Sequence, residues 1–151
     1  VKTFQIIYAS TSGHTEHVIG CIAEALNGHV NVTVTRIERA TPETLLAGDA
    51  LLLASGTWNT GGVEGQLNPY MHAFLKGVAK DVALKGRNVA IVALGDERYR
   101  YTANAGNHLE EYTTSHGGAL LGERLVIVNE PYGQEEKIRA WAEKISSLLQ
   151  Q

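Results

Sequence analysis

Hydrophobic positions along this 151-residue chain follow two rhythms in turn. Short runs dense in Ile, Val, Leu and Ala are nearly continuous, which marks strands covered on both faces. Between them lie longer stretches whose apolar residues recur three and four apart. The runs predict strands over residues 3–8, 30–37, 50–55, 88–94 and 120–128. Helices are predicted over 13–26, about 67–80, 105–116 and 134–149. In the last of these, Ile138, Trp141, Ala142, Ile145, Leu148 and Leu149 form one apolar stripe, while Glu135, Glu136, Lys137 and Lys144 remain for water. Trp141 therefore reads as core. Strand and helix alternate from end to end, so the expectation is a doubly wound α/β fold, a five-stranded parallel sheet with helices on both faces. Residues 120–128 read as one continuous strand. The glycine-rich segment 59–65 reads as a loop after the third strand, and nothing divides residues 1–151 into more than one domain.

Composition narrows the class. Apolar content of 44% and charged content of 19% are ordinary for a globular domain. A net charge of −3 with no basic stripe argues against nucleic acid as a partner. No apolar stretch is long enough to span a bilayer and no signal-peptide pattern opens the sequence, so a cytoplasmic protein without a membrane partner is expected. Cys21 is alone, the six histidines are scattered, and no zinc spacing occurs, so no metal ligands are assigned.

In open parallel sheets, ligands bind beyond the carboxyl ends of the strands, where strand order reverses. Three loops leave such ends with unusual chemistry. The first is Ser10-Thr11-Ser12-Gly13-His14-Thr15, which joins strand one to helix one. Its unpaired N–H groups and the positive end of the helix dipole suit an anion, its hydroxyls add donors, and Gly13 permits close approach. It holds no Lys or Arg, and the Gly-Lys-Ser/Thr signature of a nucleoside-triphosphate loop is absent. A single terminal phosphate therefore suits it better than a triphosphate with its metal. An ordinary Ser/Thr-capped helix uses the same residue types. The second loop, Gly56-Thr57-Trp58-Asn59-Thr60-Gly61-Gly62, places an indole among polar residues. The third, Gly95-Asp96-Glu97-Arg98-Tyr99-Arg100-Tyr101, holds two phenols. Exposed aromatics also occur with no ligand, and Gly-Asp also fits a plain turn. A flat heteroaromatic ring with a terminal phosphate satisfies all three loops, stacked between aromatic side chains, with Asp96 accepting from a ring imide N–H.

These residues resemble the flavodoxin family. Ser10 to Thr15 is similar to the flavodoxin phosphate loop, Thr57-Trp58 to the loop whose Trp covers one face of the isoalloxazine, and Gly95-Asp96 followed by Tyr99 to the loop whose Tyr covers the other. The likeness runs over essentially the whole chain in order and spacing, and the unbroken final strand resembles the short-chain class. It implies strand order 2-1-3-4-5 and non-covalently bound FMN. It further implies a monomeric low-potential one-electron carrier between a reductase or oxidoreductase and acceptor enzymes, with no catalytic residues and no substrate turnover of its own. By the same resemblance, the Ser10, Ser12 and Thr15 hydroxyls and the backbone of Thr11, Ser12, Gly13, His14 and Thr15 hold the phosphate. Trp58 and Tyr99 sandwich the ring, and Thr57 adds a hydroxyl. The backbone of Asn59, Thr60 and Gly61 and that of Leu94, Gly95 and Asp96 line the ring edge, and Gly56 is counted with the cofactor-binding residues. Tyr101 and Ala103 are peripheral.

Two departures from the family pattern carry expectations. Asn59 follows the Trp where several flavodoxins have Gly. A peptide flip there is harder for Asn, so a less stabilised flavin semiquinone is expected. The chain is also only mildly acidic, and Arg98 and Arg100 stand in the third loop. The competing reading is an FMN-dependent reductase of a quinone or small molecule on the same fold. A phosphoacceptor domain would need acidic residues where Ser, Thr, Gly and Trp stand, and a hydrolase elbow is absent.

Overall fold

The computed structural model describes residues 2–97 and 102–151. Its elements, in chain order, are β1 (Thr3–Tyr8), α1 (His14–Leu26), β2 (Asn31–Arg36), β3 (Ala50–Thr60), β4 (Val63–Leu67), α2 (Pro69–Lys76), β5 (Asn88–Gly95), α3 (Ala105–Ser115), β6 (Ala119–Leu120), β7 (Leu125–Val128) and α4 (Glu135–Leu149). Short 3₁₀ turns at Ile37–Arg39 and Pro42–Leu46 fill the path from β2 to β3.

The parallel strands run in the order β2-β1-β3-β5, with β6 and β7 sharing the far edge of β5. With those two counted as one position, the order is 2-1-3-4-5. Order reverses at β1 and β3, where Ile6 lies opposite Leu52. Because strand side chains alternate, the sheet feeds two cores. Phe4, Ile6, Leu52 and Val92 face one side and pack with Val18 and Ile22 of α1 and with Ile138 and Ile145 of α4. Ile7, Leu51, Leu53 and Ile91 face the other side and pack with Met71 of α2 and Leu109 of α3. Trp141 is 9% exposed in the first core and donates its indole N–H to the Glu123 carbonyl, as a core residue should.

Two strand predictions need correction. Residues 120–128 do not form one strand: Gly122 takes φ 67° and the chain steps out at 121–124 between β6 and β7. The step lets Arg124 pair with Glu110 on α3. Residues 59–65 are not an irregular loop either. β3 continues through Thr60 and folds back into antiparallel β4, with Thr60 opposite Val63 across a two-residue Gly61-Gly62 turn. Both glycines take positive φ, 64° and 78°, the conformation that two-residue hairpins require. The hairpin also shortens the helix expected over 67–80. Asn68 caps α2 by accepting from the Tyr70 N–H, Pro69 follows it, and the helix ends at Lys76.

Candidate functional site

A cavity of about 530 Å³ opens at the carboxyl ends of β1, β3 and β5, on the point where strand order reverses. The first, second and third loops all reach it. Ser10, Thr11, Ser12, His14 and Thr15 form one wall, Gly56, Thr57, Trp58 and Asn59 a second, and Leu94, Gly95 and Asp96 a third. Gly13, Thr60, Gly61 and Ala103 are not among its lining residues. Arg98, Tyr99, Arg100 and Tyr101 lie outside the described residues.

The hydroxyl loop is organised by its own side chains. Gly13 occupies the N-cap of α1 with φ 92° and no side-chain cap, unlike an ordinary Ser/Thr-capped helix. Ser10, 7% exposed, accepts the N–H groups of Gly13 at 3.1 Å and Glu16 at 3.4 Å through its Oγ. The N–H groups of Thr11, Ser12, His14 and Thr15 make no hydrogen bond among the described residues. The hydroxyl of Thr15, a 4% exposed residue, makes none either. Four donors at a helix N-terminus with a buried hydroxyl beside them fit a phosphate.

The charge behind the loop belongs to β2. Arg36 Nη2 donates to the Ser10 carbonyl at 2.9 Å, and Nη1 lies 3.4 Å from Glu16, the one acidic residue in the first turn of α1. The guanidinium also stands 5.5 Å from the Tyr8 ring centroid. Tyr8 donates to Glu16 at 3.2 Å. Burial, and then the Glu16 carboxylate, push the Tyr8 phenol above its ordinary range, so it remains a donor.

Trp58 is 38% exposed, against 9% for Trp141, and that difference separates a rim indole from a core one. It sits on the part of β3 that runs past its parallel neighbours and pairs with Gln66. Its indole folds back over Gly56, where an added Cβ would stand 3.1 Å from Nε1. Thr57 donates its hydroxyl to the Leu94 carbonyl at 2.8 Å and accepts the Ala105 N–H at 3.1 Å. That hydroxyl proton therefore ties β3 to β5. Gly95 is glycine for a packing reason: a Cβ would stand 2.2 Å from the backbone nitrogen of Ala103, which takes φ 58° and is buried. The Asp96 carbonyl accepts from the Thr102 hydroxyl at 2.7 Å, which closes the returning chain onto the third wall.

Four lining residues were not anticipated: Glu64, Gly65, Asn68 and Asn129. The Gly-Gly pair between two extended runs was a legible hairpin signal, and the hairpin carries the first two. Asn68-Pro69 was a legible helix start. Asn129 follows β7, so it too leaves a carboxyl strand end. It donates its N–H to the Gly95 carbonyl at 2.7 Å, and its Oδ1 accepts the Glu97 N–H at 3.0 Å. It thereby braces the third wall. Among the described residues no three His, Cys, Asp or Glu side chains are placed to hold a metal ion, and no helix is long and apolar enough to cross a membrane.

Fold and site together define a doubly wound α/β protein with an open crevice at its switch point. The family described as Flavodoxin matches residues 6–141. The chain is 27% identical over 146 residues to a flavodoxin of Maridesulfovibrio salexigens, covering 95% of this chain and 97% of that one. It is 30% identical over 149 residues to a flavodoxin of Nitratidesulfovibrio vulgaris, again covering 95% and 97%. The solved structure of oxidised Flavodoxin 2 from Bacillus cereus superposes with a TM-score of 0.86 at 30% identity, over 96% of this chain and 98% of that one. The chain belongs to the flavodoxin family, the FMN-binding electron carriers.

Proposed function

We propose that this chain is a single-domain, monomeric cytoplasmic carrier that holds FMN non-covalently in the switch-point cavity. On this reading it passes single electrons at low potential from a reductase or oxidoreductase to acceptor enzymes, with no substrate turnover of its own. One observation carries the reading: the hydroxyl loop at the start of α1 and the rim indole of Trp58 open onto the same cavity of about 530 Å³. That volume lies in the range of small-ligand and cofactor sites.

FMN, when bound, supplies the electron chemistry, and the protein supplies binding, orientation and the surrounding field. The N–H groups of Thr11, Ser12, His14 and Thr15 and the hydroxyls of Ser10, Ser12 and Thr15 hold the phosphate. Arg36 keeps the Glu16 carboxylate from opposing that dianion. Trp58 covers one face of the ring, and the Gly56 and Gly95 walls stand at its edge. Tyr99 closes the other face in this proposal.

The test is the visible spectrum of the purified protein during stepwise reduction, with a parallel assay of NAD(P)H oxidation. Stoichiometric FMN, reduced in two resolved one-electron steps and with no NAD(P)H turnover unless a reductase is added, is the expected result. Protein that ignores added FMN would overturn the reading. Turnover without an added reductase would mark the protein instead as a flavin-dependent reductase.

A further inference from the structure

The β3–β4 hairpin that carries Trp58 is irregular at one point, and the irregularity is grasped from outside. Between the pairs Trp58–Gln66 and Thr60–Val63 the register shifts, so Glu64 and Gly65 together oppose Asn59. Gly65 takes φ 74° there, the left-handed backbone of a glycine bulge. A bulge turns a carbonyl out of the ladder. The Gly65 carbonyl receives two side-chain donors from the start of α3: Asn104 Nδ2 at 2.7 Å and His108 Nε2 at 2.8 Å.

The geometry settles which atoms donate. Asn104 Oδ1 accepts from Asn107 Nδ2 at 2.6 Å, which leaves Asn104 Nδ2 for Gly65. His108 Nε2 faces a carbonyl oxygen and therefore carries its proton. The two nitrogens lie 3.3 Å apart because both converge on one oxygen. On the other side of Trp58, the Ala105 N–H bonds to the Thr57 hydroxyl. The first turn of α3 thus grips the hairpin on both flanks of the indole. Asn104 and His108 do not themselves line the cavity.

We propose that Asn104 and His108 are positioning residues: by holding the Gly65 carbonyl they fix the hairpin and set the pose in which Trp58 covers a bound flavin. The proposal rests on the FMN reading above. A free hairpin of two strands is only marginally ordered in water, so this anchor decides how much of the indole's order exists before the ligand arrives. Ordering already present in the free protein is ordering that binding does not have to supply.

The experiment compares wild type with the double variant Asn104→Ala/His108→Ala and with single variants His108→Ala and His108→Gln. Gln keeps an N–H donor on a side chain of similar reach. On apoprotein, amide exchange of Gln66 and Leu67 and the Trp58 indole N–H resonance are followed, with Tm alongside. FMN titration then reads affinity and the visible bands of the bound flavin. In the double variant we expect faster hairpin exchange, a shifted indole resonance, roughly tenfold weaker FMN binding, as loss of about 1.4 kcal/mol of net hydrogen bonding gives, and altered flavin bands. His108→Gln should recover most of what His108→Ala loses. Unchanged exchange, or faster exchange with unchanged affinity and bands, would overturn the positioning role while leaving FMN binding intact. A lower Tm with no other change would do the same. Wild type that takes up no FMN would overturn the carrier reading, and the proposal with it.

Discussion

Arg36 at the end of β2 donates to the carbonyl of Ser10 at 2.9 Å, so the cation serving the hydroxyl loop lies behind it and outside its sequence. The same guanidinium faces Glu16, whose carboxylate stands in the first turn of α1 where a bound phosphate would also lie. Arg36→Gln keeps a donor for Ser10 but leaves Glu16 without its counter-charge. FMN binding should weaken by a factor of roughly three to ten, less in high salt, because the pair is partly open to solvent and screened. Riboflavin, which lacks the phosphate, should be unaffected. Equal losses for FMN and riboflavin in parallel titrations would remove Arg36 from the phosphate site.

Gly56 and Gly95 both line the cavity, yet adding a methyl group to each has different consequences. At Gly95 the new Cβ meets the backbone nitrogen of Ala103 at 2.2 Å, and backbone cannot yield cheaply. Gly95→Ala should cost about 2–3 kcal/mol or more and be seen as a lower midpoint in urea unfolding of the apoprotein. At Gly56 the contact is Trp58 Nε1 at 3.1 Å, the end of a movable side chain. Gly56→Ala should leave the urea midpoint nearly unchanged and weaken FMN binding by pushing the indole aside. The reverse pattern would contradict this account of the two walls.

How much of this was legible in the sequence follows from the range of the forces involved. Strands β1, β3 and β5 are nearly continuous apolar runs, and local composition alone marks them, so strand order and the three loops could be placed from pattern and resemblance. The Gly95 and Gly65 constraints arise otherwise. Gly95 is fixed by a chain that returns at 102–103, and Gly65 by side chains from α3, 39 and 43 positions away. No window of local sequence contains the partners of Gly65, and Ala103, though only a few positions beyond Gly95, meets it only because the chain turns back on itself. Arg36 belongs with them: its role is written in β1–β2 pairing, which brings Tyr8 beside Arg36. The break at 121–124 was hidden for the opposite reason. Leu120, Leu121 and the run from Leu125 to Val128 are apolar enough to read as one strand, and only the φ of Gly122 and the Arg124–Glu110 pair show why they are not.

Asn59 is exposed and its side chain has no hydrogen-bond partner among the described residues. Asn59→Gly therefore removes no hydrogen bond, and its main effect is on backbone freedom at this point of the cavity wall. It sits opposite the bulge, where Glu64 and Gly65 share one partner. If peptide reorientation at this position accompanies flavin reduction, glycine should make it easier. The expected outcome is a wider separation of the two one-electron potentials in a redox titration, by tens of millivolts, a tenfold change in a one-electron equilibrium being about 59 mV. An unchanged separation would sink the idea.

Glu135 at the start of α4 reaches across to α1, accepting from His17 Nε2 at 2.9 Å through Oε2 and from the Gly133 N–H at 2.9 Å through Oε1. Tyr132 leans on the His17 ring with centroids 4.8 Å apart, and Cys21 lies 3.8 Å from the same Nε2. The bond from His17, followed by backbone bonding, holds the Glu135 carboxyl below its ordinary value of 4.5. A carboxyl that is easier to ionise in the folded protein favours folding while it is ionised. Its contribution is thus present above the unfolded value and fades as pH falls through the lower folded one. Glu135→Gln should accordingly lower the apoprotein Tm at pH 6, and the difference from wild type should close as pH falls below the ordinary carboxyl value of 4.5 and through the lower folded one. Because the bond joins α1 to α4 one turn beyond the hydroxyl loop, FMN affinity measured at pH 6 should fall with it. A Tm difference that stays constant from pH 6 to 3 would mean that the carboxylate charge at position 135 does not hold these helices together.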